Sequence, residues 1–298
     1  MEEILKVKSG VVTEIEVNEP EVKLFFTSDV HFDSVYCDRK AFFQHMEYAE
    51  KQGAKVCIFG DFFDAMNGRF DPRRDMSMLR PEYRRADYYD FVVNDAIEKL
   101  KKYKNNILIV TAGNHELSVL KNANTFLSDR LTKGLGCLHG AYGGWMNVKF
   151  EIKGNRGVTR IKYFHGAGGE APVTRGVIQT NRQAVYLPDA DIVVNGHSHN
   201  AFWVPITRER VSIQGVQYFD TQHHVRTPGY MSSYGDGTTG WEVTRGGVPK
   251  PLGGCLVTIK RTGNSDVQCP IECTPKILNP VPISAVNDLF GGTVFPQE

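Results

Sequence analysis

The sequence predicts an α/β protein in which two β-sheets pack face to face, a β-sandwich flanked by helices. Three observations carry this. Apolar runs rich in Val, Ile and Phe alternate with longer segments of helical period. The early runs each end in a polar residue, as strands do where they open into a ligand crevice. From Met146 onward the runs crowd together with tight turns between them, the pattern of a second sheet packed on the first.

In chain order, Val22 to Asp29 (VKLFFTSD), Lys55 to Asp61 (KVCIFGD) and Asn106 to Asn114 (NILIVTAGN) read as the first strands. Helices fill the gaps at Arg39 to Gln52, Tyr83 to Lys102, Thr125 to Lys133 and Arg175 to Tyr186. MNVKFEI, RIKYFHG, DIVV, AFWVPI, VSIQGVQYFD and CLVTIKR read as later strands. No repeat or linker divides the chain. Residues 1–275 are therefore expected to form one domain with a helical, Arg-rich insertion around 66–104, and residues 276–298, rich in Pro and Gly, to form a tail.

Composition excludes several classes. With 35 Lys and Arg against 34 Asp and Glu, the net charge of +1 offers no global attraction to nucleic acid, so any basic surface must be local. No run approaches a membrane span, and MEEILKVKSG carries acids where a secretory signal carries bases. The six cysteines are scattered, and Cys269 and Cys273 have neither a zinc-hook nor a redox spacing. They read as free thiols, and the expected location is the cytoplasm, without membrane contact.

The strand ends carry the chemistry. They present Asp29 and His31, then Asp61 and Asp64, then Asn114, His115 and Glu116, then His165, and finally His197 and His199 in NGHSHN, where Gly196 is expected to turn the backbone sharply. Carboxylate, imidazole and amide groups without a thiolate suit Mn, Fe or Zn, and this many donors suit two ions. Several neighbours have plainer readings. Glu116 fits an acid at a helix start, Asp33 a loop cap, and Asp64 a helix N-cap as well as a site residue. His139 rivals His165 because it also precedes a glycine; His223 and His224 read as ordinary strand histidines, while Arg226 could reach a phosphate.

The ordered set Asp-x-His, Gly-Asp-x-x-Asp, Gly-Asn-His-Glu, His and Gly-His-x-His, over roughly residues 24 to 199, resembles the calcineurin-like metallophosphoesterase superfamily. The resemblance implies a four-layer αββα fold and two divalent ions, Mn2+ first, with Fe, Zn or Ni as alternatives. It implies that Asp29, His31, Asp61 and His199 hold one ion, and that Asp61, Asn114, His165 and His197 hold the other, with Asp61 bridging. A water activated between the ions would attack phosphorus in line. His115 would then assist the leaving oxygen as a catalytic residue, its imidazole oriented by Asp64.

The substrate expected is a phosphodiester. Ala65 and Phe32 stand where the serine/threonine phosphatase branch has Arg and Gly, and GDFFD is closer to the DNA repair exonuclease branch. The following segment, NGRFDPRRDMSMLRPEYRRADYY, interleaves six arginines with Phe70, Tyr83, Tyr88 and Tyr89, as a groove for single strands would. It reads equally as a solvated helix whose arginines pair with Asp71, Asp75, Glu82, Asp87 and Asp90. Arg226 to Gly254 resembles the tail of metallophosphoesterases encoded by bacteriophages and prophages. A DNA or RNA nuclease is thus the leading expectation, a small-molecule diesterase acting on cyclic or other nucleotides the alternative, and a non-catalytic scaffold of the same fold a second alternative.

Overall fold

The computed structural model describes residues 4–9, 12–65, 71, 74–152, 155–169, 171, 173–232, 234, 241–244, 246–261 and 271–277. Two sheets form the centre. β1 (Ile4–Ser9) and β2 (Val12–Val17) begin the chain, followed by β3 (Glu21–Thr27), α1 (Arg39–Lys51), β4 (Lys55–Phe59), α2 (Tyr88–Leu100) and β5 (Ile107–Thr111). Next come α3 (Asn114–Ala123), α4 (Leu127–Leu135), β6 (Leu138–Gly140), β7 (Gly143–Ile152), β8 (Asn155–Phe164), α5 (Val177–Tyr186) and β9 (Ile192–Asn195). β10 (Phe202–Val211), β11 (Gln217–Arg226), a short α6 (Trp241–Thr244), β12 (Cys255–Arg261) and β13 (Ile271–Ile277) complete it.

The six-stranded sheet runs β13-β12-β3-β4-β5-β6 and the seven-stranded sheet β1-β2-β7-β8-β9-β11-β10. β3 to β6 are parallel. Both faces of a parallel sheet are covered, which is why these strands read as continuous apolar runs. Successive side chains alternate between two cores. Leu24, Phe26, Cys57 and Phe59 join the core between the sheets. Phe25, Val56 and Ile58 instead pack on the helical side against residues such as Phe42 of α1, Val92 of α2 and Leu131 of α4. The layering is therefore helices, sheet, sheet, with α5 in the β8-to-β9 crossover, and the two-sheet α/β architecture expected from the sequence is present.

Local chemistry sets the helix ends. The Asp38 carboxylate accepts the Ala41 N–H at 2.8 Å and starts α1, whose Ala41, Phe42, His45, Met46 and Ala49 form the buried stripe. α4 stops at Gly136, whose φ of 73° is one that glycine adopts without strain.

Three segments differ from their expected form. The helix expected from Tyr83 to Lys102 is broken: Pro81–Tyr83 is a 3-10 turn, and α2 begins only at Tyr88. Tertiary bonds override local propensity there. Arg80 donates to the carbonyls of Ser34 and Cys37 at 2.9 and 2.7 Å, and the Tyr83 hydroxyl is fixed between Arg39 and Asp95. VSIQGVQYFD is not one strand: Val211 ends β10, a turn follows with Ser212 bonded to Val216 and Gly215 at φ 78°, and Gln217 to Asp220 begin β11. β13 reaches Ile277, past the expected domain end at 275, and the remainder of the expected tail lies outside the described residues. Among the described residues Cys37, Cys57, Cys137 and Cys255 are free thiols, and no helix is long and apolar enough to cross a membrane.

Candidate metal centre

The carboxyl ends of β3, β4, β5, β8 and β9 converge, and with them the polar residues that follow each strand. Two groups of donors result. Asp29, His31 and His199 form one, and Asp61, His165 and His197 the other; within each group the ligand atoms lie within 4.8 Å of one another. Asn114 joins the second, its Oδ1 3.1 Å from Nε2 of His165. His31, Asp64 and His115 form a third cluster at the edge of the first.

The backbone that delivers these groups is strained. Asp29, His31, Asp61, His197 and His199 all have φ between 49° and 72°, the left-handed region that side chains with a Cβ normally avoid. Surrounding bonds hold each turn in place. The Asp29 and His31 amides donate to the carbonyls of Gly60 and Asp61, so the loop after β3 is bound to the loop after β4. Glycines make room: a Cβ on Gly113 would meet Asp61 Oδ1 at 2.0 Å, and one on Gly60 would meet His165 Nδ1 at 2.5 Å.

NGHSHN differs from expectation in one respect. Gly196 is not the residue with positive φ; the turn is made at His197 and His199 themselves. Gly196 is instead a close-approach position, where a Cβ would meet Ser28 Oγ at 2.4 Å and Asp29 Oδ2 at 2.7 Å. Gly196→Ala is accordingly expected to displace the Asp29 carboxylate and weaken divalent-ion affinity about 10- to 100-fold, the usual cost of disturbing the support of a ligand. Calorimetric Mn2+ titration of the folded variant checks this, and unchanged affinity would remove the packing role.

Asp29 is fully buried. Its Oδ2 accepts the Ser28 hydroxyl and the His197 N–H, the latter at 2.9 Å. Its Oδ1 is buried without a hydrogen bond, 3.4 Å from Nε2 of His199. An orphaned carboxylate oxygen facing imidazoles fits a cation site. Asp61 Oδ1 accepts the His115 N–H at 3.0 Å, and Oδ2 lies 3.1 Å from His165 Nε2 and 3.7 Å from His115 Nε2. The donors are all nitrogen and oxygen, and together they fit divalent ions.

Electrostatics follow the same arrangement. Burial alone would raise the Asp29 and Asp61 carboxyls, yet both are held below the usual carboxylate range, Asp29 by His199 and His165, Asp61 by His115, His165 and His31. Burial would lower His165, but Asp61 and Asp29 push it up to about 10. The lowered carboxyls and the raised His165 thus favour opposite charges side by side, and a cation that took His165 as a ligand would displace its proton.

Asp64 is placed differently from expectation. Its carboxylate bonds His31 Nδ1 at 2.9 Å, whereas its contact to His115 Nδ1 is 3.6 Å; the main-chain carbonyl of Asp64 is what bonds His115 Nδ1, at 2.5 Å. The turn carrying Asp64 rests on Asp33, which accepts the amides of Asp64 and Ala65 at 2.7 and 3.0 Å and the Tyr88 hydroxyl. Glu116 is an acid at a helix start and more. Its buried carboxylate gathers the amides of Gly113, Asp61 and Phe63 at 2.9, 3.1 and 2.9 Å, tying the loops after β4 and β5 together. Burial and the neighbouring Asp61 push it up to about 7.

The other candidates lie elsewhere. His139 bonds Ser128 Oγ at 3.0 Å and belongs to none of the three donor groups. His223 stacks on Trp203, and His224 bonds Gln222. Arg226 donates through Nη1 to the Gly196 carbonyl and Ser198 Oγ at 2.9 and 3.2 Å, supporting the loop between the two histidines. Sequence reasoning missed the segment after β11. Thr227 bonds Ser28, and the Tyr230 amide donates to the Asp29 carbonyl. Gly229 in TPGY was the available signal, since a Cβ there would meet that carbonyl at 2.7 Å.

Among solved structures, three similar ones illustrate the range. They are Vps29 from Chaetomium thermophilum (10% identity, covering 88% of this chain and 97% of that one, TM-score 0.33), a conserved uncharacterized protein described as a predicted phosphoesterase from Streptococcus pneumoniae (14%, 87% and 99%, 0.31), and GAP50, the anchor in the inner membrane complex of Plasmodium (10%, 89% and 90%, 0.35). No curated protein matches. A family model, described as calcineurin-like phosphoesterase, matches residues 22–201. That span runs from β3 through the His197–His199 loop and includes every donor of the two groups, so the chain belongs to the calcineurin-like phosphoesterase family.

Proposed function

We propose that this protein is a dinuclear, metal-dependent phosphodiesterase acting on nucleotide-containing diesters, with a DNA or RNA nuclease related to the repair exonucleases as the leading form. The observation that carries the reading is the pair of donor groups, Asp29/His31/His199 and Asp61/His165/His197, with His115 at their edge. Asp61 is the residue assigned to both ions, with Asn114 completing the second. When bound, two divalent ions, Mn2+ first, supply Lewis acidity, making water nucleophilic near neutral pH and drawing charge from the phosphoryl oxygens.

The chain's own residues do the rest. Asp64 fixes the rotation of His31 through Nδ1, leaving Nε2 facing the site beside His199. The Asp64 carbonyl accepts a hydrogen bond from the Nδ1–H of His115, so Nε2 is the nitrogen that handles a proton toward the departing ester oxygen. Glu116 and Asp33 hold the loops in register. Five ligand-bearing residues held at positive φ support an enzyme over a scaffold, since strain of this kind is retained where a ligand needs the geometry.

The small-molecule alternative is favoured by one observation. Of the arginines expected to line a strand-binding groove, Arg85 is paired with Asp87 and Arg80 serves main-chain carbonyls; Arg69 and Arg73, with Phe70, lie outside the described residues. The test is incubation of the protein with Mn2+ against bis-p-nitrophenyl phosphate, p-nitrophenyl phosphate, labelled single- and double-stranded DNA, and cyclic nucleotides. Diester cleavage that includes DNA is the expected result; cleavage of cyclic nucleotides alone selects the alternative, and no turnover at all selects the scaffold. The likeness of Arg226 to Gly254 to phage-encoded enzymes makes a phage or prophage setting part of this proposal.

A further inference from the structure

Tyr142 lies in the short connection between β6 and β7, where the chain passes from one sheet to the other. Its main chain extends the β7–β8 ladder: Gly143 pairs with Phe164, and the Tyr142 carbonyl accepts the His165 N–H at 2.9 Å. Its side chain reaches past that ladder. The hydroxyl donates to the Gly166 carbonyl, and the ring packs edge-on against the His165 imidazole, 5.3 Å between centroids at 75°. One half-buried tyrosine thus holds His165 at its amide, at its ring and through the residue that follows it.

That hold bears on the spacing of two candidate ligands. His165 Nδ1 is bonded to the Phe59 carbonyl at 2.8 Å, which leaves Nε2 facing Asp61 Oδ2 and Asn114 Oδ1, each at 3.1 Å. The His165 carbonyl accepts the Gly196 N–H at 2.8 Å. Gly166, at φ 130°, lies so close to the next turn that a Cβ there would meet His197 Cβ at 2.7 Å. The His165–Gly166 segment is therefore seated directly on Gly196–His197, and the two imidazoles stand 5.3 Å apart between centroids. Among the described residues the hydrogen bonds and ring contacts of Tyr142 go to Phe164, His165 and Gly166, on the side of the second donor group and away from the Asp29, His31 and His199 group.

We infer that Tyr142 is a positioning residue for one ion of the pair: through the Gly166 carbonyl and the His165 ring it sets how His165 stands against His197, and so tunes the Asp61/His165/His197 group without touching the other. This rests on the dinuclear reading above. The hydroxyl fixes the turn after His165, the ring fixes the imidazole, and the two contributions separate by substitution.

The experiment is calorimetric Mn2+ titration of the full-length protein and of Tyr142→Phe and Tyr142→Leu, with His197→Ala and His199→Ala marking which binding event belongs to which group. Tyr142→Phe keeps the ring and loses the hydroxyl bond; it is expected to weaken the event lost in His197→Ala about tenfold and to leave the event lost in His199→Ala unchanged, the low end of what disturbing a ligand's support costs. Tyr142→Leu removes the ring as well and should weaken the same event about a hundredfold. Turnover of bis-p-nitrophenyl phosphate by Tyr142→Phe should fall at limiting Mn2+ and return to the parent value at saturating Mn2+, because every ligand is still present. Unchanged affinity at both groups, equal weakening of both, or weakening of the other group alone overturns the assignment and leaves the dinuclear diesterase standing. A parent that binds both ions and cleaves no diester removes the diesterase reading, while the site-selective loss in the variants still supports Tyr142. A parent that takes up no ion at the Asp61/His165/His197 group overturns both.

Discussion

Asp61→Asn is expected to abolish binding of both divalent ions and to reduce diester turnover by at least about a hundredfold, since even residues that only orient a ligand cost 10- to 100-fold when changed. The substitution removes charge and almost nothing else. Asparagine retains an oxygen that can accept the His115 N–H, the bond now made by Asp61 Oδ1 at 3.0 Å. What disappears is the anion 3.1 Å from His165, the charge that, with Asp29, pushes His165 up to about 10. With it goes the only carboxylate in the Asp61/His165/His197 group, leaving two neutral imidazoles and an amide to hold a dication. Elemental analysis of the dialysed variant is the measurement. Retention of both ions would remove Asp61 from its assigned place between them, and loss of one ion alone would reduce it to a ligand of a single site.

Much of this centre was legible because strand ends converge in an α/β sheet, so residues as distant as Asp29 and His199 could be expected in one crevice, while their assignment to a common ion came from the family resemblance. The parallel strands announced themselves for a related reason: burial on both faces turns FFT, VCIF and ILIV into unbroken apolar runs. Local patterns could not show which part of a residue is used. Asp64 was visible as an acid near His115, yet its carboxylate serves His31 and its carbonyl serves His115, a division set by the Asp33 cradle beneath it. Glu116 carried a helix-start signature that was correct and incomplete, since nothing local reveals the amides of Asp61 and Phe63 waiting across the sheet. The arginine segment was the most ambiguous stretch for the same reason. Composition shows arginines and acids together, and only tertiary placement shows that Arg80 turns to main-chain carbonyls and Arg85 closes on Asp87 across the face of Phe91.

His115→Ala should leave both ions bound and still cost about 10² to 10⁴-fold in turnover on nucleotide and alkyl esters, the usual contribution of a positioned proton donor. The geometry separates this residue from the ligands. Its Nδ1 is committed to the Asp64 carbonyl at 2.5 Å, which requires a proton on that nitrogen, and its Nε2 stands 3.7 Å from Asp61 Oδ2 at the rim of the site. The ring packs edge-on against His31, 4.7 Å between centroids, so its removal leaves a gap beside a ligand while the Asp64 bond keeps His31 in orientation. Dependence on the leaving group is the discriminating measurement. A departing alkoxide needs a proton to leave, whereas p-nitrophenolate is stable without one, so the loss should be steep for nucleotide esters and slight for bis-p-nitrophenyl phosphate. If both esters lost turnover equally with metal content intact, His115 would be stabilising charge common to both transition states and not delivering a proton; if the ions were lost as well, its role would be that of a support for the His31 and Asp61 ligands.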